Sequence, residues 1–427
     1  MTLWSRVRRI VIGTSVAQAI MIVVVPFLTR IYSPSDFGVA STFTAALAVL
    51  SVISCLRFET AIPQAKSNVE LVQLATIALV SLILVGCVVA ISLVIIQLFT
   101  DNLPDFFGSL LVVGVLLSGV NQILTAISLK KDHLGLMARA RIIQSASTAS
   151  FQLTASTLGG MALIVGQLLG VVMSTGLMMG SMRVPWTKSS CHETLAVAKK
   201  YRDFPRYSAP DALVNSFGNN LPIFAFSFLF GAPSVGLFAL VKRVLVIPLT
   251  VLGSALGQAF HVQGASVSRQ DLRLLLVSTT KRLLLASFLA CGFFAIFGPQ
   301  LAVFFLGAQW ADAGTVLLSL LPWLTMQFIA SPVSVVFLIT GKQSVLFRWQ
   351  ISLLFIRLLV ISLGFLGLSF PLLLITYSMS SALMYLVQLA LSFRAAGLEF
   401  VYVFGLATKY ALIALITLSP LIFWSVA

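Results

Sequence analysis

Lys242 and Arg243 lie side by side in an apolar run, Val235 to Phe260, that follows the turn-like Gly231-Ala-Pro-Ser234. A helix starting near Val235 rises about 1.5 Å per residue, which puts Arg243 about 12 Å inside it. In hydrocarbon each such cation costs about 2.5–3.5 kcal/mol on insertion scales, so it must face a protein interior or a wet cavity. The chemistry open to this pair is capture of an anionic group. No catalytic constellation accompanies it. There is no Gly-rich nucleotide loop, and no metal-ligand spacing joins His133, His192 and His261 to Cys55, Cys87, Cys191 and Cys291. Neither a cofactor nor a metal is expected, and the chain does not read as an enzyme.

Other polar residues recur at helical spacing. Ser208, Asp211, Asn215 and Asn219 share one face of a run over 208–230. Arg243, Thr250, Ser254 and Gln258 share a face of the next run, and Lys242 is turned about 100° from it. Gln144, Thr148, Gln152 and Ser156 form a third stripe, and Ser118, Asn121, Thr125 and Ser128 a fourth. Such stripes either glue helices together or line a cavity. Arg357 shares a late apolar run with Gln350, where it meets either an ion-pair partner or the cargo. Arg57 and Glu59 end the second run, as an interfacial clasp or a substrate contact. Arg30 ends the first run, at the outer interface or against the cargo. Asp211 and Glu59 are the carboxylates placed to take up a coupling ion, proton or sodium; the alternative for Asp211 is a helix cap or a salt bridge.

The elements that hold these residues follow from composition. Hydrophobic residues make up 59% of the 427 and charged residues 9%, and the mean hydropathy is +1.06. Repeated apolar runs of about 20 residues make this an all-α polytopic membrane protein. The net charge of +15 resides mostly in short loops between the runs, so it reports topology rather than nucleic-acid binding. With the N-terminus in the cytoplasm, the outward loops carry Arg30 against Asp36, Asp101, Asp105 and Asp312. The first run follows Arg6, Arg8 and Arg9 and lacks a small-residue cleavage site, so it is read as a retained span.

Twelve core spans are expected, with loops at Gly231–Ser234 and Gly298–Gly314 and a further run, Val403–Trp424, that is a thirteenth span or a helix outside the core. Ser33-Pro-Ser-Asp-Phe-Gly38 resembles Ala232-Pro-Ser-Val-Gly236, and both join an odd span to an even one. This points to two six-helix lobes related by a pseudo-two-fold axis along the membrane normal, with a central cavity near mid-membrane. The expected division is 1–180 for the first lobe, 181–207 for a cytoplasmic linker, 208–394 for the second lobe and 395–427 for the extra segment.

Several stretches resemble a known family. Pro26-Phe-Leu-Thr-Arg-Ile-Tyr-Ser-Pro-Ser-Asp-Phe-Gly38 and Leu56-Arg-Phe-Glu-Thr-Ala-Ile-Pro63 are similar to the opening of bacterial polysaccharide-export flippases. These belong to the multidrug/oligosaccharidyl-lipid/polysaccharide exporter superfamily. Lys200-Tyr-Arg-Asp-Phe-Pro-Arg-Tyr-Ser208, Asn219-Asn-Leu-Pro222, Val235-Gly-Leu-Phe-Ala-Leu-Val-Lys-Arg-Val244 and Leu306-Gly-Ala-Gln-Trp-Ala-Asp-Ala-Gly314 continue the resemblance. It implies translocation of undecaprenyl-diphosphate-linked oligosaccharide (O-antigen, exopolysaccharide or capsule repeat unit) from the cytoplasmic to the periplasmic leaflet of the bacterial inner membrane by alternating access. It also implies a polysaccharide polymerase and a chain-length regulator as candidate partners, and Arg243, Lys242, Arg57 and Arg357 as anion contacts, with Arg30, Asn215 and Asn219 beside them.

Rival readings are a cation-coupled multidrug exporter of the same superfamily and a membrane-embedded polysaccharide polymerase or ligase. The first calls for an acidic cavity, the second for a sizeable outward loop with catalytic cations. A scaffold without transport would leave Lys242 and Arg243 without a purpose.

Overall fold

A computed structural model describes residues 3–99, 105–182, 190–265, 267–399, 405 and 408–409. Helix is the regular structure of the described residues, as lipid demands, since a helix satisfies its backbone donors and acceptors internally. Two compact units result, Met1–Ser227 and Phe228–Ala427.

The first unit holds α1 (Leu3–Ile31), α2 (Pro34–Ile53), α3 (Asn68–Phe99), α4 (Asp105–Lys130), α5 (Leu134–Thr154), α6 (Gly160–Ser181) and the short α7 (Cys191–Lys200). It also takes the start of the long α8 (Ala209–Ala265). Ser33 caps α2 with Pro34 in its first turn: the Ser33 backbone N–H and hydroxyl both donate to Asp36 Oδ2, at 2.9 and 2.7 Å. The other oxygen, Oδ1, accepts from the Gly160 backbone N–H at 2.9 Å, which ties the start of α2 to the start of α6. The Ser-Pro-Ser-Asp sequence is therefore a cap with a tertiary function. The α5 and α6 backbones approach closely at Gly170, where a Cβ would meet Thr148 Oγ1.

The stripes on α4 and α5 are helix glue. Asn121 Nδ2 donates to Ser174 and Thr175 on α6, both at 3.0 Å, and Gln152 Nε2 donates to the Leu163 carbonyl at 2.8 Å. α8 begins the same way, with the Ser216 hydroxyl donating to the Ala48 carbonyl on α2 at 3.3 Å. Its 209–227 stretch thereby groups with the first unit.

The second unit comprises the rest of α8, α9 (Arg269–Leu306), α10 (Asp312–Val333), α11 (Val336–Ile339), α12 (Gln343–Phe365) and α13 (Phe370–Ala395). α10 packs along both α13 and α9. Each of the twelve expected core spans corresponds to a helical segment, two of them within α8. Ten segments among the described residues are long and apolar enough to cross a membrane. α5 is not among them, because Arg139, Arg141 and its polar stripe lower its hydropathy. Of the run Val403–Trp424, only residues 405 and 408–409 are described; the rest lies outside the described residues.

Three local expectations are corrected. The loop expected over Gly231–Ser234 shrinks to one residue, Gly231 (φ 76, ψ 178), a left-handed conformation that glycine adopts without a Cβ clash. The loop expected over Gly298–Gly314 shrinks to residues 307–311, because α9 continues through Gly298-Pro299 to Leu306 and a 3-10 turn over Ala308–Trp310 leads into α10. Proline removes only its own N–H and kinks a helix, and tight helix packing in a membrane tolerates that. The linker is partly helical. Ser190 and Glu193 form a capping box that starts α7, and a wide helical turn over Phe204–Ser208 leads into α8.

Candidate functional site

In the second unit, Lys242 and Arg243 fall on successive positions of α8, about 17 Å along the helix from Gly231. Both are half-buried. The Lys242 ammonium stands 5.8 Å from the centre of the buried Phe238 ring. Arg243 makes no hydrogen bond or ion pair among the described residues, although it lies deep within an apolar helix. Of its expected stripe, Gln258 lines a cavity of about 360 Å³ with His261 and, from α10, Gln327 and Ser331. The Thr250 and Ser254 side chains lie outside the described residues.

Arg357 on α12 is buried, 8% exposed, and its guanidinium sits 5.3 Å from the Trp323 ring of α10 and 5.5 Å from the Tyr377 ring of α13. It has no ion-pair partner among the described residues. Lys242 is near enough to feel its charge, so two cations repel one another in the interior of this unit. Only Asp271, Asp312 and Glu399 supply carboxylates to the whole unit, and each stands at or beyond a helix end.

In the first unit, the expected polar face of α8 is open. Asp211, Asn215 and Asn219 are exposed, and Asn219 Nδ2 donates to Asn215 Oδ1 at 3.2 Å. Asp211 lies within the first turn rather than at a cap, and forms no salt bridge among the described residues. Arg30 is exposed in the last turn of α1.

Arg57 and Glu59 come together where α2 gives way to a 3-10 segment, Phe58–Gln64. Leu56 and Arg57 both adopt positive φ, 48° and 65°, which is strained for residues carrying a Cβ. The turn aims Arg57 Nη1 at Glu59 Oε1 at 3.6 Å. Glu59 is 4% exposed, and neither carboxylate oxygen receives a hydrogen bond from another side chain. Burial pushes its carboxyl above the ordinary glutamate range, and Arg57 offsets only part of that. The neighbouring Cys55 thiol is pushed up to about 12 by burial and by the Glu59 charge.

Inspection of polar spacing misses the aromatic setting of Arg357. Tyr377, Ser381, Tyr385 and Gln388 share one face of α13, and a search for aromatic residues at the same helical spacing as serines would have found them.

The family model for polysaccharide biosynthesis proteins matches residues 27–315. The chain belongs to that family. No curated protein sequence matches it. Among solved structures, it is similar to the lipid II flippase MurJ in an inward closed conformation, with a TM-score of 0.71 and 13% identity over 97% of this chain and 99% of that one. It is also similar to a multidrug resistance MATE transporter of the MOP superfamily, inward-facing, with a TM-score of 0.67 and 14% identity over 90% and 94%. A MOP superfamily transporter from Pyrococcus furiosus, described as having a binding pocket of reverse polarity, matches with a TM-score of 0.58 and 13% identity over 92% and 95%. At these identities the likeness shows the fold, that of the two-lobe transporters expected from the sequence. This family member is thus a multi-pass membrane protein with the architecture of flippases and exporters.

Proposed function

We propose that this polysaccharide biosynthesis protein is a flippase. It moves undecaprenyl-diphosphate-linked oligosaccharide from the cytoplasmic to the outer leaflet of the bacterial inner membrane, with its N-terminus in the cytoplasm. The observation that carries the reading is Arg243: a cation deep in an apolar helix that makes no ion pair or hydrogen bond among the described residues. A diphosphate supplies the missing negative charge, while the prenyl tail stays in lipid. Lys242 and Arg357 add to the positive field of the same unit, and Arg57, Arg30, Asn215 and Asn219 are further candidate contacts. The two six-helix lobes, 1–180 and 208–394, rock about the cargo, linked through 181–207. Glu59 and Asp211 are the candidate sites for a coupling proton or sodium, which drives the cycle only if the two states bind it unequally.

The multidrug-exporter reading is the weaker one. A cavity for cationic drugs calls for carboxylates, whereas the ionisable groups deep in the second unit are Lys242, Arg243 and Arg357.

Flipping measured in proteoliposomes with a lipid-diphosphate-linked oligosaccharide tests this. Arg243→Ala removes a charge-assisted contact of about 2 kcal/mol, roughly 30-fold in transport at limiting substrate. Arg243→Lys retains a measurable part of the activity. Wild-type transport by folded Arg243→Ala would refute the site.

A further inference from the structure

The α12–α13 hairpin is charged at one end only. Its turn, Leu366-Gly-Leu-Ser369, carries no charge, whereas Lys342, Arg348 and Arg394 gather where α12 starts and α13 ends. Both helices are long and apolar enough to cross a membrane, so this charged end meets a membrane surface. Here the two helices part around a groove of about 500 Å³. All three cations line it, and no carboxylate does. Val345, Val387 and Leu391 give it an apolar wall. Trp349, also in the lining, is buried and donates through Nε1 to the Met384 carbonyl at 2.8 Å, which fixes α12 against α13 below the cations.

The three cations are exposed and keep most of their donors for a ligand. Lys342 Nζ donates to the Ala395 carbonyl at 3.2 Å, and an ammonium has two further protons to give. Arg348 donates through Nε to the Ser344 carbonyl at 3.3 Å, and its outer nitrogens make no hydrogen bond among the described residues. The Arg394 guanidinium makes neither a hydrogen bond nor an ion pair among the described residues. Topology alone asks for Lys and Arg near such helix ends. It does not ask for three of them, from two helices, around one cavity with an apolar wall. Phe347, Ile351 and Phe355 run exposed along α12 beside the groove, as a side turned to lipid requires. Positive charge at the mouth and hydrocarbon beneath it match a molecule with a phosphate at one end and an acyl chain at the other.

We propose that this groove binds an anionic phospholipid of the cytoplasmic leaflet, the side that the excess of Lys and Arg marks. Its phosphate sits among Lys342, Arg348 and Arg394, and an acyl chain lies against Val345, Val387 and Leu391. The lipid thereby ties the start of α12 to the end of α13. The site rests on the membrane-spanning fold and not on the flippase reading.

The test counts lipid adducts on the full-length protein by native mass spectrometry, in detergent titrated with phosphatidylglycerol or with phosphatidylcholine. The wild type should take up one phosphatidylglycerol saturably, and phosphatidylcholine about 10-fold more weakly. Arg348→Gln combined with Arg394→Gln should weaken phosphatidylglycerol about 30-fold. Lys199→Gln combined with Arg202→Gln removes the same charge from exposed positions of the first unit and should leave binding unchanged. The proposal is overturned if the groove pair weakens binding no more than the distant pair, since attraction to net charge then suffices. Equal uptake of the two lipids by the wild type overturns it as well, and needs no variant to fold. Undecaprenyl diphosphate that displaces equimolar phosphatidylglycerol from the wild type also overturns it, and assigns the groove to the cargo. None of these readings involves transport, so failure here leaves the Arg243 test standing.

Discussion

Replacing Glu59 with glutamine should stabilise the protein at neutral pH. At 3.6 Å the Arg57–Glu59 attraction is about 5 kcal/mol for an effective dielectric of 20. The Arg57 side chain is 29% exposed, however, so solvent screens part of that attraction. Against it stands the cost of burying a carboxylate that is 4% exposed, several kcal/mol per ion. The upward push on the Glu59 carboxyl shows that burial wins. The folded state therefore holds the proton more tightly than the unfolded chain. This contribution to stability is fully present below the unfolded value of about 4.3 and is lost as the pH rises through the folded value. Glu59→Gln is exempt from that loss. We expect it to exceed the wild type by about 1 kcal/mol at pH 8, roughly 2 °C in unfolding temperature, and to match it at pH 4. Arg57→Gln should have the opposite sign, costing about 3 kcal/mol at pH 8 because it strands a buried carboxylate, and less as Glu59 protonates. Unfolding temperatures of the three proteins in detergent from pH 4 to pH 8 decide the matter. A Glu59→Gln protein less stable than wild type at pH 8, or a difference that ignores pH, would refute the reasoning. It would also remove Glu59 as a proton site.

Two stability predictions test the packing of the first unit. Gly170→Ala drives a Cβ into Thr148 Oγ1 and to 2.6 Å from the Gln144 carbonyl, forcing α5 and α6 apart. It should cost about 2–3 kcal/mol, whereas Gly176→Ala, with open space around it, should gain up to about 1 kcal/mol from helix propensity. Monodisperse yield after heating compares them, and equal behaviour would discount the close approach. Asp36→Ala strips acceptors from the Ser33 N–H, the Ser33 hydroxyl and the Gly160 N–H. It should cost about 2 kcal/mol, against about 1 for Ser33→Ala, in the same melts.

Helix identity was legible throughout because lipid leaves the backbone little alternative. Helix ends are set where a side chain makes the cap, as with Ser33 and Asp36 or Ser190 and Glu193, and the second of these falls in the stretch expected to be a linker. Ends were not legible at Pro299, because packing rather than local propensity decides whether a proline stops a buried helix. Polar stripes reveal which residues share a face, but not which way that face is turned. Asn121 and Gln152 turn inward as glue, while Asn215 and Asn219, of like chemistry and spacing, remain exposed. Cations are easier to place than amides, since an unpaired charge cannot simply be absorbed into packing. The second half of the chain could have been read further on that ground alone. Lys242, Arg243 and Arg357 occupy its helix interiors, and its carboxylates stand only at or beyond helix ends. Capture of an anionic cargo, as proposed above, would supply the counter-charge that the carboxylates at helix ends do not bring to these positions. The charge census thus points to anions more directly than any motif does.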